Sequence, residues 1–95
     1  MVREQLWVVA ACFNEDSIIC RFIEEVLQLH VVDRLVLIDD GSGDATVTVI
    51  RQWQEAHPSA PLVLLELTRN FGKEAAMLAG LDHASGRCEA VVLID

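Results

Sequence analysis

Four short apolar runs, LWVVAA (6–11), LVLI (35–38), LVLLEL (62–67) and AVVLI (90–94), recur along the chain with helix-length segments between them. Continuous apolar runs of this length suit strands buried on both faces. The segments between them carry helical periodicity. Asp16 or Ser17 can cap a first helix reaching about His30, with Ile18, Phe22, Ile23, Val26 and Leu27 on one face. A second helix is predicted over 45–56, with Val47, Ile50 and Trp53 in phase. A third is predicted over 74–84, followed by Gly86 as a C-terminal cap. The order is β-α-β-α-β-α-β, and each helix is long enough to cross over between parallel strands. The fold class expected is α/β, a three-layer α/β/α sandwich with a parallel sheet.

Parallel sheets of this kind place ligands beyond the carboxyl ends of their strands. Four segments meet that condition: 12–16, 39–44, 68–73 and Asp95. Polar residues concentrate in them. Asp39-Asp40-Gly41-Ser42-Gly43-Asp44 fits two readings: an acidic turn leading to a helix cap at Asp44, or paired carboxylates accepting from ligand donors with glycines admitting close backbone approach. Phe13 and Glu15 fit a stacking aromatic and an acceptor, and equally a core ring and a surface carboxylate. In Arg69-Asn70-Phe71-Gly72-Lys73, two cations flank a loop entering a helix, which suits a phosphate or a solvated loop. His30, His57 and His83 sit at no metal spacing and read as structural or exposed.

Several function classes are excluded. The formal charge is −8, from 15 acidic and 7 basic residues, and no basic stripe exists to displace counterions from nucleic acid. No GxGxxG follows the first strand and no P-loop occurs. The three cysteines, Cys12, Cys20 and Cys88, form no CxxC and no zinc spacing. No apolar run approaches the roughly 20 residues of a membrane span, and no secretion signal is visible.

Taken in order, FNE after the first strand, DDGSGDAT after the second, RNFGKEAAMLAGLDHASG after the third and VVLID at the end resemble the family-2 glycosyltransferases of the GT-A fold. Within that family they are similar to the polyprenol-phosphate sugar transferases, which include dolichol-phosphate mannose synthases and bactoprenol glucosyltransferases. The resemblance implies that residues 1–95 form the N-terminal nucleotide-sugar-binding portion of a transferase domain that is cut at its DxD motif. It implies nucleotide-sugar contacts from Ala11, Phe13, Glu15, Ile38, Asp40, Lys73 and Asp95. Ala11 lies beside the base, Ile38 and Asp40 form the base-contacting pair, Asp39 holds the loop, and Lys73 stands near the donor phosphates. Asp95 matches the first DxD carboxylate and so the ligand of Mg²⁺ or Mn²⁺. No catalytic residue falls within the chain.

The implied activity is transfer of a hexose from a UDP- or GDP-sugar to a polyprenyl phosphate with inversion, at the cytoplasmic face of a membrane, with the chain alone inactive. A saccharide acceptor on the same fold and a non-catalytic α/β interaction module are the alternatives. Phe13 stands where the family usually has Tyr, and Arg87-Cys88-Glu89 is longer than the family's short link into the fourth strand. A fourth strand without its outer neighbour is expected to drive self-association through its edge.

Overall fold

The computed structural model describes residues 4–94. Its elements follow the predicted alternation: β1 (Glu4–Cys12), α1 (Ile19–Leu27), β2 (Arg34–Asp39), α2 (Thr46–Ala56), β3 (Leu62–Glu66), α3 (Lys73–Ala84) and β4 (Cys88–Ile94). All strand pairs are parallel, in the order β3-β2-β1-β4. β1 and β2 occupy the centre, which is why their apolar runs are unbroken: both faces must be covered.

The cover differs on the two faces. Val8, Ala10, Leu35 and Leu37 meet Ile19, Ile23 and Val26 of α1 and Ile50 of α2. Val9, Val36 and Ile38 point the other way and meet Ala76 and Ala84 of α3. Alternation along each central strand thus feeds two cores, and the three-layer sandwich is realised. α3 lies close because its inner face is small. A Cβ added at Gly80 would stand 2.4 Å from Val9 Cγ1 and 2.5 Å from Ile38 Cδ1, so only glycine lets the helix approach to this depth.

Helix α1 departs from expectation. It begins at Ile19, without a side-chain cap, and ends at Leu27 rather than near His30. Ile18 sits at φ −124°, outside the helix, and is 56% exposed. Its expected place on the buried face therefore fails, and Ile19 takes it, in helical phase with Ile23 and Val26.

Below the sheet, Asp33 ties β1 to the turn before β2. Its Oδ2 accepts the N–H groups of Gln5 at 2.8 Å and Leu6 at 3.0 Å. Those two backbone bonds hold the Asp33 carboxyl below its ordinary range, against some opposing desolvation. His57 stacks on Trp53 with centroids 4.0 Å apart, and His83 lies 5.9 Å from Trp7, so both histidines are structural.

Candidate functional site

Three loops leave the carboxyl ends of β1, β2 and β3 and are bonded into one surface. The first two interlock directly. Asn14 adopts φ +52°, a conformation that asparagine tolerates better than most side chains. From there its Oδ1 accepts Gly43 N–H at 2.8 Å and Asp44 N–H at 3.3 Å, while its own N–H donates to Ser42 Oγ at 2.9 Å. Glu15 N–H donates to Thr46 Oγ1 at 2.9 Å, and Asp16 Oδ2 accepts Ala45 N–H at 3.3 Å. Asp16 and Ser17 are the two candidate caps of α1; neither caps it, and Asp16 instead stitches one loop to the next. Asp44 accepts Thr46 N–H at 2.9 Å in a turn just before α2, but the helix's N-cap is Ala45 and carries no side-chain cap, so Asp44 is a turn residue and not the cap.

The two carboxylates of the Asp39-Asp40 pair serve different loops. Asp39 is buried and turns inward on its own loop, accepting Ser42 N–H at 3.0 Å and the Ser42 hydroxyl. That is the loop-holding part the resemblance implies. Asp40, also buried, reaches across to the third loop. Its Oδ1 accepts Phe71 N–H at 2.8 Å, and its Oδ2 accepts Gly72 N–H at 3.1 Å and Asn70 Nδ2 at 3.2 Å. Gly41 sits at φ +76°, and a Cβ there would come within 2.2 Å of Arg69 C and 2.3 Å of Asn70 N. The backbones of the second and third loops are therefore in contact, which a side chain at 41 would prevent.

Between these loops lies a small cavity of about 160 Å³, lined by Ala11, Cys12, Phe13, Glu15, Asp40 and Lys73. Five of the residues anticipated for nucleotide-sugar binding converge here. Ile38 does not. It pairs with Ala11 in the β1–β2 register, but its side chain is fully buried in the α3-side core and lines no part of the cavity. Strand alternation turns the side chain of residue 38 into the core, while the chain beyond Asp39 turns toward the cavity. Asp95 lies outside the described residues.

The cavity's chemistry is mixed. Phe13 is 43% exposed and offers a ring face at the rim. Glu15 and Asp40 are acceptors, and Lys73 supplies a cation at the start of α3, where the helix N-terminus also favours negative charge. Arg69, the other cation of this loop, instead lies over the Phe71 ring, 4.6 Å from its centroid. Cys12 was missed by sequence reading as a lining residue. Its thiol is pushed up to about 12, by burial first and then by the carboxylates of Asp39, Glu15 and Asp44. At neutral pH it stands as an uncharged wall of the cavity. Among the described residues no group of three or more His, Cys, Asp or Glu side chains could hold a metal ion. Nor, among them, is any helix long and apolar enough to cross a membrane.

Known proteins share both sequence and architecture with this chain. Residues 7–95 match the family described as Glycosyl transferase family 2. Over 92 residues the chain is 42% identical to a bactoprenol glucosyl transferase of Shigella phage SfV, covering 93% of this chain and 29% of that protein. It is 39% identical over 92 residues to a dodecaprenyl-phosphate galacturonate synthase of Rhizobium johnstonii, covering 93% and 27%. Among solved structures it is similar to a mannosyltransferase from Pyrobaculum calidifontis in complex with GDP-Man and Mn²⁺, with TM-score 0.78 and 28% identity over 90% of this chain and 26% of that one. The chain thus spans less than a third of the length of these relatives.

Proposed function

Because the chain belongs to glycosyl transferase family 2, we propose that its three-loop cavity receives the nucleotide of a UDP- or GDP-sugar. The observation that carries this reading is the convergence of Ala11, Phe13, Glu15, Asp40 and Lys73 on one recess at the carboxyl ends of β1 and β2. Phe13 stacks on the base, Asp40 accepts a ring N–H with its remaining acceptor capacity, Glu15 accepts from a sugar hydroxyl, and Lys73 faces the diphosphate. Residues 1–95 act as the nucleotide-sugar-binding portion of a larger transferase domain. Asp95 supplies a carboxylate for Mg²⁺ or Mn²⁺, a reading supported by the resemblance and by the Mn²⁺ bound in the similar mannosyltransferase. Such a cation offsets the negative charge of the diphosphate, which an acidic chain cannot do alone.

For the whole protein, the reading is transfer of a hexose to a polyprenyl phosphate with inversion, at the cytoplasmic face of a membrane. Relatives named for bactoprenol and for dodecaprenyl phosphate support it. An acceptor phosphate is already anionic, so the attacking oxygen needs no strong general base.

The test is an NMR titration of the chain with UDP and with GDP, each with and without Mg²⁺. Shifts confined to Phe13, Glu15, Asp40 and Lys73 with one of the two support the site and name the base. Shifts elsewhere, or none for a chain extended past Asp95, refute it and favour a non-catalytic interaction module. A full-length protein that glycosylates a saccharide but no polyprenyl phosphate would overturn the acceptor.

A further inference from the structure

Phe13 and Glu15 line the cavity from a segment that has left the sheet, since β1 ends at Cys12. Phe13 is 43% exposed and, among the described residues, packs with neither core cluster. Core packing therefore does not aim its ring; the backbone must. That backbone is held on both sides. Cys12 C=O accepts Asp40 N–H at 2.9 Å. Glu15 N–H donates to Thr46 Oγ1 at 2.9 Å, and Glu15 C=O accepts Ile18 N–H at 3.1 Å and Ile19 N–H at 2.9 Å. Between the two fixed ends stands Asn14, at φ +52°, the one non-glycine residue with positive φ among the described residues.

We infer that Asn14 is a positioning residue for nucleotide binding: it aims Phe13 and Glu15 into the cavity, whose wall it does not itself join. The inference rests on the nucleotide reading of that cavity. Two demands meet at this position. The left-handed backbone bends the chain where a strand would run on, and glycine, asparagine and aspartate adopt it most readily. The side chain must also grip the second loop. Its Oδ1 accepts Gly43 N–H at 2.8 Å and Asp44 N–H at 3.3 Å, while Asn14 N–H donates to Ser42 Oγ at 2.9 Å. Glycine fails this second demand, and alanine fails both. The grip has a firm anchor, because the Ser42 hydroxyl donates in turn to the buried Asp39 carboxylate. The same loop delivers Asp40 to the cavity. Asn14 thus sets Phe13 and Glu15 relative to Asp40, so the three side chains that would meet the nucleoside are ordered before it arrives. Ordering them beforehand removes a cost that binding would otherwise carry.

The test is calorimetric titration of the chain and of two variants, Asn14→Gly and Asn14→Asp, with uridine and guanosine, beside urea unfolding and NMR relaxation of the free proteins. Uncharged nucleosides keep the added carboxylate of Asn14→Asp from repelling a diphosphate. Asn14→Gly keeps the backbone conformation and loses the grip. It should bind the accepted nucleoside about tenfold more weakly while fully folded, with greater motion at Phe13 and Glu15. Asn14→Asp keeps the backbone conformation and an acceptor oxygen. It should restore affinity to within about twofold of the parent, with parent-like order at both residues. A residue that only joins two loops would lower the urea midpoint in Asn14→Gly and leave the affinity of the folded chain unchanged, and that result overturns the inference. So does an Asn14→Asp chain that binds as weakly as Asn14→Gly. If the parent binds neither nucleoside, the site itself fails and the inference with it. A parent that binds beside an unimpaired Asn14→Gly leaves the site standing and removes only the role of Asn14.

Discussion

The Asp40 carboxylate accepts the backbone N–H of Phe71 at 2.8 Å across 31 residues of sequence. With Gly72 N–H and Asn70 Nδ2 on its other oxygen, it fixes the loop from which Lys73 begins α3. A residue proposed to read the base thus also sets where the cation stands. Asp40→Ala leaves those donors without their acceptor, at a cost of about 1–3 kcal/mol. Asp40→Asn keeps one acceptor oxygen and should lose less. Urea unfolding gives the order, and amide exchange at Phe71 and Gly72 should quicken in both variants.

The loop glycines separate by what surrounds them. Gly41→Ala meets the Arg69–Asn70 backbone and a positive φ together, and backbone cannot swing aside as a side-chain tip can. It should destabilise the chain by more than about 1 kcal/mol. Gly43→Ala meets nothing within 4 Å and should stay within about 0.5 kcal/mol of the parent. Gly80→Ala intrudes on Val9 and Ile38 and should cost about 1–3 kcal/mol through overpacking. Equal unfolding midpoints for the 41 and 43 variants would contradict the loop contact.

These contrasts show what could be read in advance. The apolar runs at 6–11 and 35–38 announced their strands because burial on both faces leaves a continuous signature, and those at 62–67 and 90–94 were legible from apolar content although their strands are only partly covered. The helices between them then dictated a parallel sheet. The local turn signal at 39–44 was equally legible. Hidden from it were the uses made of those residues across loops. Asp16 looks like a cap because Asp before an apolar run usually is one, yet its partner is Ala45. Asp39 and Asp40 are chemically alike, and only the fold assigns one to Ser42 and the other to Phe71. Gly80 reads as a blemish in a helix until the close approach of Val9 and Ile38 explains it. The burial of Ile38 beneath the cavity was hidden as well, because nearness in sequence to Asp40 does not reveal which face a strand residue takes.

Cys12 gives the chain a pH dependence on the alkaline side. Its folded-state pKa is raised to about 12, so the folded state holds the thiol proton where an unfolded chain releases it. Stability from this group is therefore full below an ordinary thiol pKa of about 8.5 and declines as pH rises from there toward 12. Unfolding midpoints should fall between pH 8 and 10 (on the order of the thiol range) in the parent and fall less in Cys12→Ala. Cys12 should also resist alkylation in the folded chain.

Asp33 acts at the opposite end of the scale and of the molecule. Its folded pKa is depressed, chiefly by the Leu6 and Gln5 N–H bonds. Its contribution is present above the ordinary Asp range near 4 and is lost as pH falls through the lower folded value. Asp33→Asn should lower the unfolding midpoint at neutral pH and flatten its fall on acidification. A variant with the parent's acid slope would remove Asp33 from the account.

Phe13 and Lys73 should divide the work of nucleotide binding if the proposed site is correct. Phe13 is exposed at the rim and supports no core, so Phe13→Ala should leave thermal stability nearly unchanged. It removes the stacking face, worth about 1–3 kcal/mol per base where aromatic side chains stack on bases, or roughly fivefold to 150-fold in affinity. That loss should be the same for a nucleoside and for its diphosphate, because the base is common to both. Lys73→Ala removes the cation: it should weaken the diphosphate, more at low ionic strength, and weaken the nucleoside far less. Calorimetric titration of both variants with uridine and UDP, or guanosine and GDP, separates the two effects. Equal losses from Lys73→Ala on nucleoside and diphosphate would mean that the lysine shapes the cleft and does not meet the phosphates.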